Sequence, residues 1–164
     1  MRFKILLLFT LITATSKIST AQYGYNITLD IPSEKNKTVY LAKYWDGKPY
    51  IQDSTVTSDR GKGILSSRED LPDGQYLIYI KPDIKLDLLL SGRKNDIQIY
   101  FDDKNVYKTW IKGSEDTKHL WQYAIKINEL NQKPTDKDKA ADYTSKIIRE
   151  NSGNWFGTYL KGMQ

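Results

Sequence analysis

Thr38-Val39-Tyr40-Leu41-Ala42-Lys43-Tyr44-Trp45-Asp46-Gly47-Lys48-Pro49-Tyr50-Ile51-Gln52-Asp53-Ser54-Thr55-Val56-Thr57 is the stretch that decides the fold. In an extended chain Val39, Leu41 and Lys43 point one way, and Tyr40, Ala42 and Tyr44 the other. Asp46-Gly47 follows, and both residues tolerate the positive φ of a tight hairpin turn. Pro49 has no N–H for a ladder, so the loop is expected to reach it. Residues 50–57 then return as a second strand. The unit reads as a β-hairpin.

The same pattern extends outward from this hairpin. Upstream, Ile27, Leu29 and Ile31 alternate with Asn26, Thr28 and Asp30, and Pro32 ends the run. Downstream, Ser58-Asp59-Arg60-Gly61 is a turn and residues 63–66 are a short edge strand. Leu71-Pro72-Asp73-Gly74 places Pro and Gly in turn-favoured roles. Residues 75–81 and 85–90 follow as strands, and the three consecutive leucines of the second imply burial on both faces. A turn at 92–95, a strand at 96–101 and a closing strand within 106–112 complete the series. Seven or eight short strands at this spacing predict an antiparallel sandwich or a partly open barrel.

At Gly113 the period changes to helical. Ser114 reads as an N-cap, and Leu120, Ala124 and Ile127 fall on one stripe with Trp121 and Ile125 beside it. Pro134 separates a second helix, where Thr135 and Asp138 resemble a capping box and Ala140, Tyr143 and Ile147 form the stripe. Asn154 caps a third, with Trp155, Tyr159 and Met163 helically spaced. Trp121 and Trp155 are expected between helices and sheet. The fold class is therefore α+β: a β-sandwich domain over residues 22–112, then a helical appendage or linker over 113–164. The last apolar stripe runs to Met163 and the sequence stops at Gln164. That suggests a fragment whose packed structure continues into a further domain.

The N-terminus reads as a secretory signal over residues 1–21. Arg2 and Lys4 precede an apolar run over 5–12, and Ser19, Thr20 and Ala21 supply small residues before a cut at Ala21–Gln22. The run is too short for a membrane span, which needs about 20 apolar residues, so no span is expected after cleavage and the location is periplasmic or secreted. Arg2, Lys4 and Lys17 would leave with the signal, lowering the net charge from +5 to +2. A nucleic-acid partner is not expected from so small a basic excess. The chain has no cysteine, so disulfides, thiol nucleophiles and thiolate metal sites are excluded.

Little else carries chemistry. His119 is the single histidine and reads as a surface or partly packed helix residue. There is no phosphate loop and no Gly-x-Ser-x-Gly elbow. Asp102-Asp103 reads as a turn, and Asp136, Asp138 and Asp142 suit a helix start. Asn26-Ile27-Thr28 and Asn36-Lys37-Thr38 match the N-glycosylation pattern. No catalytic residue, metal site or cofactor is assigned. Twelve Tyr and four Trp fit strand packing, but Trp45 and Tyr50 flank a turn and are the candidate ligand-binding pair, where sugars would stack.

Several motifs in order resemble a known family. They are Tyr25-Asn26-Ile27, the strand Val39-Tyr40-Leu41-Ala42-Lys43-Tyr44 with its Asp46-Gly47 turn, Leu71-Pro72-Asp73-Gly74-Gln75-Tyr76-Leu77, Ile111-Lys112-Gly113-Ser114 leading to Leu120-Trp121-Gln122-Tyr123, and the tail from Phe156 to Met163. Together they resemble the N-terminal domain, itself of unknown function, of exported Bacteroidetes-type thioredoxin-like, thiol-disulfide oxidoreductase proteins. In that family a Cys-x-x-Cys motif on a following thioredoxin fold does the redox work. With no cysteine here, no catalytic residue carries over. The resemblance implies a non-catalytic accessory module, a scaffold or interaction domain for a protein partner or for a covalently following redox domain. It also implies an O-glycosylation signal at Asp53-Ser54-Thr55, making Ser54 a candidate acceptor. Two alternatives stay open: a truncated fragment of a periplasmic thiol-disulfide oxidoreductase, and a glycan-binding module.

Overall fold

Period-two alternation from Tyr25 to Asp30 places Tyr25, Ile27 and Leu29 in the interior and makes the first strand, β1 (Tyr25–Asp30). The computed structural model describes residues 24–91, 95–132 and 137–163. The expected signal over 1–21, the turn core after Ser91 and the Pro134 and Thr135 helix start lie outside the described residues. The strands that follow are β2 (Thr38–Trp45), β3 (Lys48–Val56), β4 (Lys62–Ser67), β5 (Gly74–Ile80), β6 (Ile84–Leu90), β7 (Asn95–Tyr100) and β8 (Trp110–Lys112). Among the described residues three helices follow the strands: α1 (Glu115–Asn131), α2 (Lys137–Glu150) and α3 (Trp155–Gly162).

The strands form two four-stranded sheets, ordered β4-β1-β7-β8 and β3-β2-β5-β6. Ile27, Leu29, Leu65, Ile97 and Ile99 of the first meet Val39, Leu41, Ile78, Leu86 and Leu88 of the second in one core cluster. Each such buried aliphatic side chain stabilises the fold by about 1.5–3 kcal/mol relative to exposure. The architecture is α+β with an open sandwich. One ladder departs from the antiparallel rule: β1 and β7 run parallel, with Ile27 opposite Ile97. The second sheet lies between them in sequence and supplies the long crossover that a parallel pair needs.

Three local expectations are corrected. Pro49 is a β3 residue, paired with Tyr44. It is tolerated because β3 is a sheet edge, where a missing N–H interrupts no ladder. Residues 106–112 are not one strand, since Val106–Lys108 is a 3-10 turn capped by Asn105 and only Trp110–Lys112 pairs with β7. The stripe of α3 is turned by one residue. Phe156, Gly157 and Leu160 are buried, and Met163 is 64 % exposed at the C-cap.

The leucine run of β6 explains the helical layer. Leu88 and Leu90 enter the sandwich core, while Leu89 joins Leu120, Phe156 and Leu160 in a second cluster. The helices thus cover the other face of β6. Gly113 (φ 84°) makes the corner into α1, and a Cβ there would collide with the Asp96 carbonyl, so only glycine fits. Ser114 caps α1 by accepting from the Thr117 N–H at 3.2 Å. Thr117, fully buried, carries the docking. Its hydroxyl accepts from the Leu89 N–H at 3.0 Å and lies 3.0 Å from the Leu89 carbonyl. The start of the helix stands where the next strand beside β6 would be. Among the described residues no helix is long and apolar enough to cross a membrane.

Candidate functional site: the β2–β3 hairpin

The sequence-predicted pair, Trp45 and Tyr50, sits on one face of the β2–β3 hairpin. Asp46 (φ 49°) and Gly47 (φ 68°) both adopt left-handed backbone, the signature of a two-residue type I′ turn. That turn fixes the register: Trp45 lies opposite Lys48 and Lys43 opposite Tyr50. Paired residues share a face and faces alternate, so Lys43, Trp45 and Tyr50 project together. Farther down, Leu41 pairs with Asp53 and Ala42 with Ile51, leaving Gln52 as a bulge residue. Lys43, Trp45, Tyr50 and Gln52 line a shallow hollow of about 300 Å³.

This face continues the inner face of the sheet. Val39 and Leu41 are core residues on the same side, and the Lys43 Nζ lies 5.6 Å from the centroid of the buried Tyr76 ring. The hairpin overhangs the end of the sandwich, so Trp45 stays 70 % and Tyr50 51 % exposed. Ile51 and Val56 of the same edge strand are also exposed, at 64 % and 62 %. Ile51 and Val56 lie on the face opposite Tyr50, and apolar side chains exposed on both faces of an edge strand are unusual for a surface with no partner.

Below the hollow the sandwich end is tied by two phenols. The Tyr25 hydroxyl donates to Asp53 Oδ2 at 2.8 Å and the Tyr76 hydroxyl to the Pro72 carbonyl at 2.7 Å. Burial first, and then the Asp53 carboxylate, holds the Tyr25 phenol far above its ordinary range. Burial, helped by Asp73, pushes Tyr76 up to about 12. Both stay protonated at neutral pH and serve as fixed donors, not bases. The hollow above them can stack a ring through Trp45 and Tyr50 and hydrogen-bond through Lys43 and Gln52.

The other sequence candidates scatter. Ser54 is exposed on β3 opposite Tyr40, its N–H held by Asp53 Oδ1 at 2.7 Å. His119 is half-buried against Phe156 at 5.8 Å between ring centroids. Its Nδ1 points inward without a hydrogen-bond partner. Asp102 makes the expected turn, its Oδ1 accepting from the N–H groups of Lys104 and Asn105 at 3.0 Å. Asp138 lies in the first turn of α2; Asp136 lies outside the described residues. Lys43 and Gln52 were not singled out from the sequence. The hairpin register would have given Lys43, but the bulge that places Gln52 leaves no sequence signal.

Residues 25–120, from β1 into the first turns of α1, match a family described as a domain of unknown function, DUF4369. No curated protein matches. Among solved structures, an NMR structure of a protein from Eubacterium rectale is 16 % identical, covering 56 % of this chain and 90 % of that one with a TM-score of 0.30.

Proposed function

The chain belongs to the DUF4369 family, a domain of unknown function, and on that premise we propose that it is a non-catalytic exported accessory module. It acts as a scaffold or interaction domain for a redox protein, either a domain following on the same polypeptide or a separate partner. The observation that carries this is the edge strand β3, which exposes Tyr50 on the face it shares with Trp45 of β2 and exposes Ile51 and Val56 on the opposite face, an edge suited to a partner that adds a strand and covers side chains on both sides. The absence of cysteine leaves thiol chemistry to that partner.

The test is a photo-crosslinking amino acid at Ile51 in the full chain, expressed in source cells. Adducts with a protein or domain carrying Cys-x-x-Cys support the proposal. Adducts confined to lipid, glycan or unrelated abundant proteins refute it.

A second reading, a glycan-binding module, is favoured by the shared face of Trp45 and Tyr50 with the Lys43 amine and Gln52 amide beside them. Aromatic rings with adjacent polar groups suit a sugar's apolar and hydroxyl-bearing faces. Titration with a panel of oligosaccharides, followed by tryptophan fluorescence, tests it. A flat response, or one unchanged in Trp45→Ala, rules it out.

A further inference from the structure

The stripe of α1 is not fully covered. Ala124, expected in the packed face, is exposed and lines a cleft of about 290 Å³ between α1 and β6. The floor is β6, one wall is α1 and the other is the Val106–Lys108 turn. Leu120, Trp121, Ala124, Ile125 and Val106 make the lining mainly apolar. The volume lies just under the usual range for ligand sites, roughly 300–1,000 Å³, so the cleft suits one ring or a short branched chain. Trp121 is held in place edge-on against Phe101, 5.8 Å between centroids.

One polar group on the floor is unexplained by the fold. Asp87 alternates with the buried Leu86 and Leu88, so its side chain leaves the core and emerges beneath the helices. Its Oδ1 accepts from Gln75 Nε2 at 3.2 Å, and Oδ2 receives no hydrogen bond from the described residues. Lys85, also in the lining and two residues away on the same face, is exposed and closes no ion pair with it within 4 Å. Burial pushes the Asp87 carboxyl up, offset in part by Gln75 and Lys85. Tyr44 and Tyr159 feel its charge from β2 and α3. A half-buried carboxylate with one oxygen left to solvent and ligand is disfavoured in its charged form, and such groups concentrate at functional sites.

The mouth is strapped. Tyr107, 67 % exposed, crosses from the 3-10 turn to α1, its hydroxyl donating to Glu129 Oε1 at 3.1 Å. Glu129 Oε2 in turn accepts from Lys126 Nζ at 3.0 Å. A single exposed hydrogen bond, in competition with water, is a weak closure of the mouth.

We propose that this cleft is a binding site for a small apolar amine, whose body lies against Leu120, Trp121, Ala124 and Ile125 and whose ammonium group pairs with Asp87. An acid would meet the carboxylate charge, and a neutral ligand would bury it further without a counter-charge. The site is separate from the β2–β3 hairpin and does not depend on the function assigned there.

Calorimetric titration of the full chain with 2-phenylethylamine, 2-phenylethanol and 3-phenylpropionate tests it. These probes share a ring and differ in charge. The amine should bind at least about tenfold more tightly than the alcohol, since charge-assisted hydrogen bonds are roughly twice as strong as neutral ones, and the acid should bind weakest. Asp87→Asn should remove the preference for the amine while leaving alcohol binding unchanged. Ala124→Phe should fill the cleft and abolish both, with circular dichroism showing each variant folded. Equal affinity for the three probes, no binding of any at millimolar concentration, or an amine preference that survives Asp87→Asn overturns the proposal. If Asp87→Asn does not fold, the ranking on the wild-type chain and its loss in Ala124→Phe decide the matter.

Discussion

Thr117→Val isolates the joint between helices and sandwich. The substitution keeps side-chain shape and removes one hydroxyl at a position with no solvent exposure. Leu89 N–H then loses its acceptor at 3.0 Å. The Leu89 carbonyl keeps Ser114 Oγ at 3.2 Å, so one buried group is orphaned and not two. An unsatisfied buried donor costs about 1–3 kcal/mol, and the Ser114–Thr117 hydroxyl contact adds about 0.5–1.5 kcal/mol. The expected loss is about 2–4 kcal/mol. For a domain of this size that is roughly 6–12 °C in Tm, at about 3 °C per kcal/mol. Urea unfolding gives the free energy, and amide hydrogen exchange should show Leu89 losing protection first. Thr117→Ser, which keeps the hydroxyl and drops a methyl, should cost only about 1 kcal/mol. A Thr117→Val protein within about 0.5 kcal/mol of wild type, or one more stable than Thr117→Ser, would refute the assignment of Thr117 as the docking residue.

Other outcomes follow from the same geometry. Gly113→Ala places a methyl on the Asp96 carbonyl at positive φ and should cost several-fold more than Gly47→Ala, where the hairpin tip is open; equal melting temperatures for the two would contradict the corner. Tyr76 has its pKa raised from 10.0 to about 12 by burial, so its contribution is complete below pH 10 and is lost as pH climbs towards 12. Tyrosinate absorbance should therefore show a late-titrating phenol that Tyr76→Phe removes. Asp87, also raised, runs the same way at lower pH: the native state resists its deprotonation. Asp87→Asn should then be more stable than wild type at neutral pH and indistinguishable below the ordinary carboxylate range, whereas a pH-independent difference in Tm would point to packing. Asn154→Ala removes the side-chain oxygen that accepts from Gly157 N–H at 2.9 Å. It should cost about 1 kcal/mol in urea unfolding.

Legibility tracks how local the signal is. The Asp46-Gly47 turn, the Ser114 and Asn154 caps and the alternation of β1 are written in a few adjacent residues, and each forms as its chemistry dictates. The Leu88-Leu89-Leu90 run is a subtler case. It requires cover on both faces of β6, and that cover exists. The run does not say that α1 and α3 supply it. The candidate pair Trp45 and Tyr50 was visible because it flanks the turn residues, yet whether the rings are exposed depends on the hairpin overhanging the sandwich. The Asp87 cleft was not visible at all. Asp87 is an ordinary polar residue in an alternating strand until a helix is laid across it.

By itself, the sequence determined most of the element types, the switch from strands to helices at Gly113, the position of the Asp46-Gly47 turn and the absence of a thiol from these residues. These rest on side-chain periodicity, on backbone angles only certain residues tolerate, and on the presence or absence of an atom. The tertiary structure decided the parallel pairing of β1 with β7, the use of Thr117 in place of a strand partner, the one-residue rotation of the α3 face and the opening beside Ala124. Each depends on which distant surfaces meet. Many pairings satisfy the same apolar periodicity, and only the simultaneous burial of both sheets and the helical layer selects one.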